Sequence, residues 1–330
     1  MYLLWIMGPS TGSAVVTLAS DLLPAVVERA DLNPAAVYLA RLGSGSQRTM
    51  RGALERIADL ASGGQSTAAT LPWHQLRYQH TQAIRAALAE DLKPATVNKH
   101  LAALRGVLRE AWRLGLMSAE DYHRAADLPT VKGTTLPSGR NVGAGEVVAL
   151  VAACQADPSP AGARDAAMLG VAFTAGVRLA ELVDLDLADY DAGTGEVHVR
   201  RGKGAVERLS YVQNGAQAAL EAWLAVRGDE AGALFCPVNR GGRVTVRRMT
   251  GRAVYATFGK RAAEAGVAAF SPHDARRTYA GDLLDAGADI STVQRLMGHA
   301  TVTTTARYDR RPEAAKRRAA SLLHFPFLAA

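Results

Sequence analysis

Three stretches of this sequence gather residue types suited to chemistry on an anion. In Ser271-Pro272-His273-Asp274-Ala275-Arg276-Arg277-Thr278, a serine at an N-cap and a proline at the first helical position announce a helix start. The spacing puts His273 and Arg276 on one face of the first turn, where free N–H groups and the helix dipole favour negative charge. Arg276 adds a planar fork matched to phosphate oxygens. In Ser291-Thr-Val-Gln-Arg-Leu-Met297-Gly298-His299-Ala300, Ser291 is expected to cap a short helix and Gly298 to stop it, leaving His299 on the exit turn. Tyr308 follows nine residues later, inside Thr303-Thr-Thr-Ala-Arg-Tyr308-Asp-Arg-Arg. Phenols are almost wholly protonated at neutral pH, so a tyrosine acts as a nucleophile only where its ionisation is helped, and neighbouring arginine charges supply that help. The third stretch, Phe173-Thr-Ala-Gly-Val-Arg178-Leu-Ala-Glu181-Leu-Val-Asp-Leu185, sends Arg178 straight out of an apolar helix. That is costly unless the charge is paired, with Glu181 the natural structural partner, or serves a site.

The elements that must hold these residues read as mainly α with a small antiparallel sheet. In the second half, helical patterns cover 145–155, 164–175, 216–227, 250–265, 272–286 and 291–297. The alternating runs Glu196-Val-His-Val-Arg200 and Glu207-Arg-Leu-Ser-Tyr-Val212 flank Arg201-Gly202-Lys203-Gly204 and predict a hairpin. Residues 34–126 read as all-helical: Pro34 opens one helix, 49–60 continues the pattern, and 73–88 supplies another. The clearest helix runs from Pro94 to Leu114, with Val97, Leu101, Leu104, Val107, Leu108 and Trp112 on one stripe. Its other face, with Asn98, Lys99, Arg105, Arg109 and Arg113, reads either as a solvated face or as one lying along phosphates. Between 127 and 144 the pattern collapses into glycines, prolines and threonines, a linker by composition. Residues 1–33 read as an N-terminal tail, 145–311 as the second domain and 312–330 as a C-terminal tail.

The chain has 330 residues, 48% of them hydrophobic and 21% charged, which excludes a wholly disordered or collagen-like protein and suits two domains. Its formal net charge of +7 makes a polyanionic partner plausible. Cys154 and Cys236 stand far apart and outside any CxxC pair, so no disulfide framework or cysteine zinc site is expected, and a reducing cytoplasm fits. No run approaches the roughly 20 apolar residues of a membrane span.

The set Arg178, Lys203, His273, Arg276, His299 and Tyr308, with the text Thr-Ala-Gly-Val-Arg-Leu-Ala-Glu-Leu, His-Asp-Ala-Arg-Arg-Thr, Met-Gly-His-Ala and Arg-Tyr, resembles the active site of the tyrosine recombinase, or phage integrase, family. Ala275 and Met297 stand where that family commonly has leucine, a difference of packing. The resemblance implies a helical core-binding domain at 34–126 followed by a tyrosine recombinase catalytic domain, of the simple Xer-like kind. It implies that Tyr308 attacks a DNA phosphodiester to form a 3′-phosphotyrosine, passing through a Holliday junction. Arg178 and Arg276 would clamp the non-bridging oxygens, His299 would add a donor, His273 would accept or relay the tyrosine proton, and Lys203 would protonate the 5′-oxygen. Glu181 and Asp189 would give structural support. The implied partners are double-stranded DNA and a homo-tetramer, or a tetramer with a related recombinase, on two duplexes, with no metal, no ATP, no cofactor and no membrane. DNA contacts are expected from Asn98, Lys99, Arg105, Arg109, Arg201, Arg247, Arg248 and Arg277, with further basic clusters at Arg200, Arg243 to Arg252, Lys260 and Arg261, and Arg307 to Arg318 lining the backbone. A type IB topoisomerase-like enzyme and a non-catalytic DNA-binding regulator are the rival readings. The apolar tail Leu322, Leu323, Phe325, Phe327 and Leu328 would either pack on its own chain or dock on a neighbouring protomer.

Overall fold

A computed structural model describes residues 30–133, 139–200, 207–306, 308 and 320–321. Lys203 and Arg201, and nearly all of both expected tails, lie outside the described residues. The chain divides into two compact units within the 127–144 stretch.

The first unit contains five helices among the described residues: α1 (Pro34–Ala40), α2 (Ser44–Ser62), α3 (Tyr78–Asp91), α4 (Pro94–Arg113) and α5 (Ala119–Ala126). Asn33 caps α1 by accepting from the N–H groups of Ala35 and Ala36. Helix α4 is central, with Val97, Leu101, Leu104, Val107 and Leu108 fully buried against α1, α2 and α5. Trp112 departs from the expected stripe. It is 39% exposed and stacks on Tyr122 of α5, with ring centroids 5.3 Å apart. The pattern expected from Trp73 onward also splits. Trp73–Gln75 is a 3₁₀ turn whose tryptophan is buried, and the α-helix begins only at Tyr78.

The second unit runs through α6 (Ala144–Gln155), α7 (Pro160–Thr174), α8 (Leu179–Asp184), a three-stranded antiparallel sheet, and then α9 (Asn214–Arg227), α10 (Gly251–Glu264), α11 (Pro272–Asp285), α12 (Ile290–Met297) and α13 (Val302–Ala306). The sheet orders β1 (Tyr190–Asp191), β2 (Glu196–Val199) and β3 (Arg208–Tyr211), with Val197 opposite Ser210 and Val199 opposite Arg208. The hairpin forms where alternation predicts it, but β3 is inverted. Its polar Arg208 and Ser210 face inward while Leu209 and Tyr211 are 46% and 43% exposed. The inversion holds because both inward groups are partnered: Ser210 donates to the Ala175 carbonyl at 2.7 Å, and Arg208 pairs with Glu181.

Helix α7 forms the core of this unit against α9 and α6. A buried ion network ties α10 to it: Arg261 donates to Asp165 at 2.8 Å and to Asp157 at 2.6 Å. The expectation that Arg261 lines DNA is thereby corrected, since its side chain is 1% exposed and neutralised by carboxylates. Lys260 beside it is exposed.

Candidate active site

Five of the six residues expected to do chemistry converge on one cleft of about 730 Å³, lined by Arg178, His273, Arg276, His299 and Tyr308, with Tyr255 and Thr304 beside them. Each is placed by a local feature of its element. Helix α7 ends at Thr174, and Gly176 then takes φ +57°, a conformation that favours glycine. A Cβ there would also lie 2.2 Å from the Tyr279 ring. The turn delivers Arg178 to the N-cap of α8, where its backbone N–H donates to Glu181 Oε2 at 2.8 Å and its guanidinium to Oε1 at 2.6 Å.

Ser271 caps α11 by accepting from the Asp274 N–H, and Asp274 in turn accepts from the Ser271 N–H and hydroxyl. The first turn then points exposed His273 into the cleft and buries Arg276. Asp289, not Ser291, caps α12: its carboxylate accepts from the Thr292 N–H. Gly298, at φ +59°, closes that helix and releases His299 toward α11. Its Cα faces Arg208 so closely that a Cβ would lie 3.1 Å from that side chain. Tyr308 follows α13, its backbone N–H bonded to the Thr305 carbonyl at 2.9 Å.

The electrostatics centre on Glu181. Its carboxylate faces Arg178, Arg208 at 2.6 Å and Arg276 at 3.9 Å, so one buried negative charge serves three guanidinium groups. Burial alone would raise its pKa, but hydrogen bonds from Arg208 and Arg178 hold it down to about 2. Arg276, 2% exposed, donates to the carbonyls of Gly176 and Met297 and lies 3.1 Å from His299 Nε2. Burial and the neighbouring Arg178 charge push it down to about 10, which leaves it cationic at neutral pH. His299 is lowered to about 4 by burial and by the charges of Arg276, Arg178 and Arg208. His273 is lowered as well, first by burial and then by Arg277. Both rings are therefore neutral at pH 7, and surplus positive charge sits at the cleft floor beside a phenol. The Tyr308 ring stacks on His299 with centroids 5.9 Å apart, and His273 meets its edge at 6.5 Å.

Arg208 went unremarked in the sequence. Only its inward position in β3 distinguishes it, where it joins Glu181 to the Leu296 carbonyl at 2.8 Å. Asp189 is buried, accepts from the Asp186 N–H and pairs with Arg200 at 2.6 Å. The residues expected on DNA are scattered. Arg277 is buried in the site itself, its guanidinium 5.9 Å above the Tyr308 ring and donating to the Gly139 carbonyl, so it faces inward and not toward the surface. Arg248 is exposed but bound to the Val183 carbonyl and Asp186, and Arg247 is exposed beside it. In the first unit Asn98 spends its amide on both backbone groups of Val131, and Arg105 reaches the Leu128 carbonyl. Exposed Arg109 reaches only the Tyr122 hydroxyl at 3.3 Å, and Lys99 is half-buried on the same helix.

A helical domain whose cleft sets a phenol against buried guanidinium groups and two neutral imidazoles is suited to chemistry on a phosphate. The model of the phage integrase family matches residues 140–314. The chain is 36% identical over 230 residues to the tyrosine recombinase XerD of Pseudomonas aeruginosa, covering 67% of this chain and 72% of that protein. It is 35% identical over 225 residues to the tyrosine recombinase XerC of Corynebacterium efficiens, covering 67% and 69%. Among solved structures, the integrase of transposon Tn1549 in complex with transposon right end DNA superposes with a TM-score of 0.63 at 15% identity, over 88% of this chain and 99% of that one. The chain belongs to the phage integrase family, the tyrosine-type site-specific DNA recombinases. No helix among the described residues is long and apolar enough to cross a membrane.

Proposed function

We propose that this recombinase cleaves and rejoins double-stranded DNA through a 3′-phosphotyrosine on Tyr308, for integration, excision or resolution. The observation that carries the reading is the convergence of Tyr308, Arg276, Arg178, His299 and His273 on one cleft. The phenolic oxygen attacks the scissile phosphorus as its proton passes to His273, which is neutral and free to accept it. Negative charge gathers on the non-bridging oxygens, where fixed cations count far more than mobile ones. Arg276 and Arg178 face that charge and His299 adds a donor. The 5′-oxygen leaves with a proton, a role assigned to Lys203, and later attacks the partner phosphotyrosine through a Holliday junction. The phosphotyrosine bond retains the energy of the broken phosphodiester, so no ATP or metal enters this scheme.

The first unit would hold the duplex through the basic face of α4, and exposed Arg247 and Lys260 would meet phosphates from the second. The protein would work in the cytoplasm as a homo-tetramer on two duplexes, with the apolar segment at 322–328 docking on a neighbour. Incubation with DNA fragments from the source genome, quenched in SDS, tests the reading: wild type should carry covalently attached DNA and Tyr308→Phe should not. Attached DNA that survives in Tyr308→Phe would overturn the assignment. Sequence-selective binding without any adduct would favour a non-catalytic regulator, and monomeric relaxation of supercoils without strand exchange would favour a topoisomerase-like enzyme.

A further inference from the structure

We propose that Thr305 is a positioning residue whose hydroxyl lets the proton of His299 move from one ring nitrogen to the other when a phosphate enters the cleft. The inference rests on the recombinase reading of the cleft and deepens it. Two contacts fix the ring: Nε2 lies 3.1 Å from the Arg276 guanidinium, and Nδ1 lies 2.9 Å from Thr305 Oγ1. Thr305 is fully buried, and its carbonyl accepts the Tyr308 N–H at 2.9 Å. One residue thus braces both the imidazole and the backbone of the nucleophile.

The direction of each bond follows from what the groups can do. A guanidinium only donates, so Nε2 must accept. Burial and the surrounding arginines keep the ring neutral, with one N–H, and that N–H is therefore on Nδ1, donating to Oγ1. In this state His299 has no proton to offer from Nε2. Phosphate oxygens in the cleft would draw the Arg276 guanidinium to themselves and leave Nε2 free to carry a proton toward the same oxygens. Nδ1 must then become the acceptor, which requires a partner able to donate. Nε2 takes a proton from water in the open cleft and Nδ1 gives its own up to water, so the exchange balances and the ring is neutral before and after it. A carbonyl or carboxylate at position 305 would fix the first tautomer, and a methyl would support neither. A hydroxyl both accepts and donates, so it serves both.

Thr305→Val keeps the shape and removes the hydroxyl, while Thr305→Ser keeps the hydroxyl. Nitrogen-15 NMR of histidine-labelled protein should show His299 as the Nδ1–H tautomer in the wild type. Addition of inorganic phosphate, or of duplex DNA to the Tyr308→Phe form, should shift it toward Nε2–H. Thr305→Val should keep the Nδ1–H form that Arg276 imposes but lose the shift, and Thr305→Ser should retain both. In single-turnover adduct formation, Thr305→Val should be slower by about 10- to 100-fold at unchanged DNA affinity, the usual effect of losing a residue that orients an active-site histidine. Thr305→Ser should restore most of the rate, and thermal melting confirms that both variants fold. An unshifted tautomer on phosphate binding, or a Thr305→Val enzyme as fast as wild type, overturns the proposal. Absence of any adduct in wild type would instead overturn the recombinase reading, and the NMR arm would still decide the role of Thr305.

Discussion

Helix α4 carries three arginines and α11 two, and the two helices use them in opposite ways. On α4 the apolar stripe is inside and Arg109 and Arg113 are exposed, Arg113 pairing at 3.2 Å with Glu110, and charges this close to water are screened by salt. On α11 the arginines themselves are inside: Arg276 is 2% and Arg277 6% exposed. Taking a guanidinium out of water costs several kcal/mol, and about the same amount returns only if partners are close and well aimed. Around Arg276 the Gly176 and Met297 carbonyls, with Glu181 nearby, meet that requirement. The exposed set can attract a duplex of any sequence, whereas the buried set offers donors already held beside the cleft when charge develops on a phosphate.

The contrast breaks most visibly at Glu181. Glu181→Ala would leave Arg178, Arg208 and Arg276 without their shared carboxylate, and urea unfolding should show a loss of about 3–5 kcal/mol. Arg113→Ala on α4 should cost only about 1 kcal/mol or less by the same measurement, since Arg41 still pairs with Glu110. Arg276→Lys keeps a charge but loses the planar fork, so single-turnover adduct formation should fall by about 10²–10³-fold while duplex binding holds. Gly176→Ala meets both the left-handed φ and the Tyr279 ring, and should cost about 1–3 kcal/mol in the same unfolding assay, with a matching loss of cleavage.

Acid sharpens the comparison further. His299 titrates near 6.5 when unfolded and near 4 in the cleft, so between those values the unfolded chain holds a proton that the folded site refuses. Stability of the second unit should therefore decline as pH falls from 6.5 to 4. Loss of the Glu181 contribution begins only below its ordinary value of 4.5. His299→Gln should lose about 2–4 °C less in melting temperature over that window than wild type does. The smallest effect belongs to the exposed face: Arg109→Ala should weaken binding of all duplexes alike and lower the salt slope of log K by about 1.

The primary structure made the chemistry legible because each catalytic type sits beside its own local signal. Ser271-Pro272 marks the turn that presents His273 and Arg276, and Gly298 marks the exit that frees His299. The hairpin and the α4 stripe were legible for the same reason, since periodicity is a property of neighbours in sequence. Signals confined to one element failed where a distant partner decided the outcome. Trp112 leaves its stripe for Tyr122, and Arg261 turns from a basic cluster into a buried network with Asp157 and Asp165.

The sequence by itself therefore determined the mainly helical architecture and five of the residues that meet in the cleft, in the order in which they arrive. Only the tertiary structure decided which arginines are exposed and which are buried, that Arg208 shares Glu181 with Arg178, and that Thr305 meets His299. The reason is physical. Local signals set φ and ψ within a few residues, whereas the cost of burying a charge depends on groups that may be a hundred positions away, such as Arg276 on the Gly176 carbonyl.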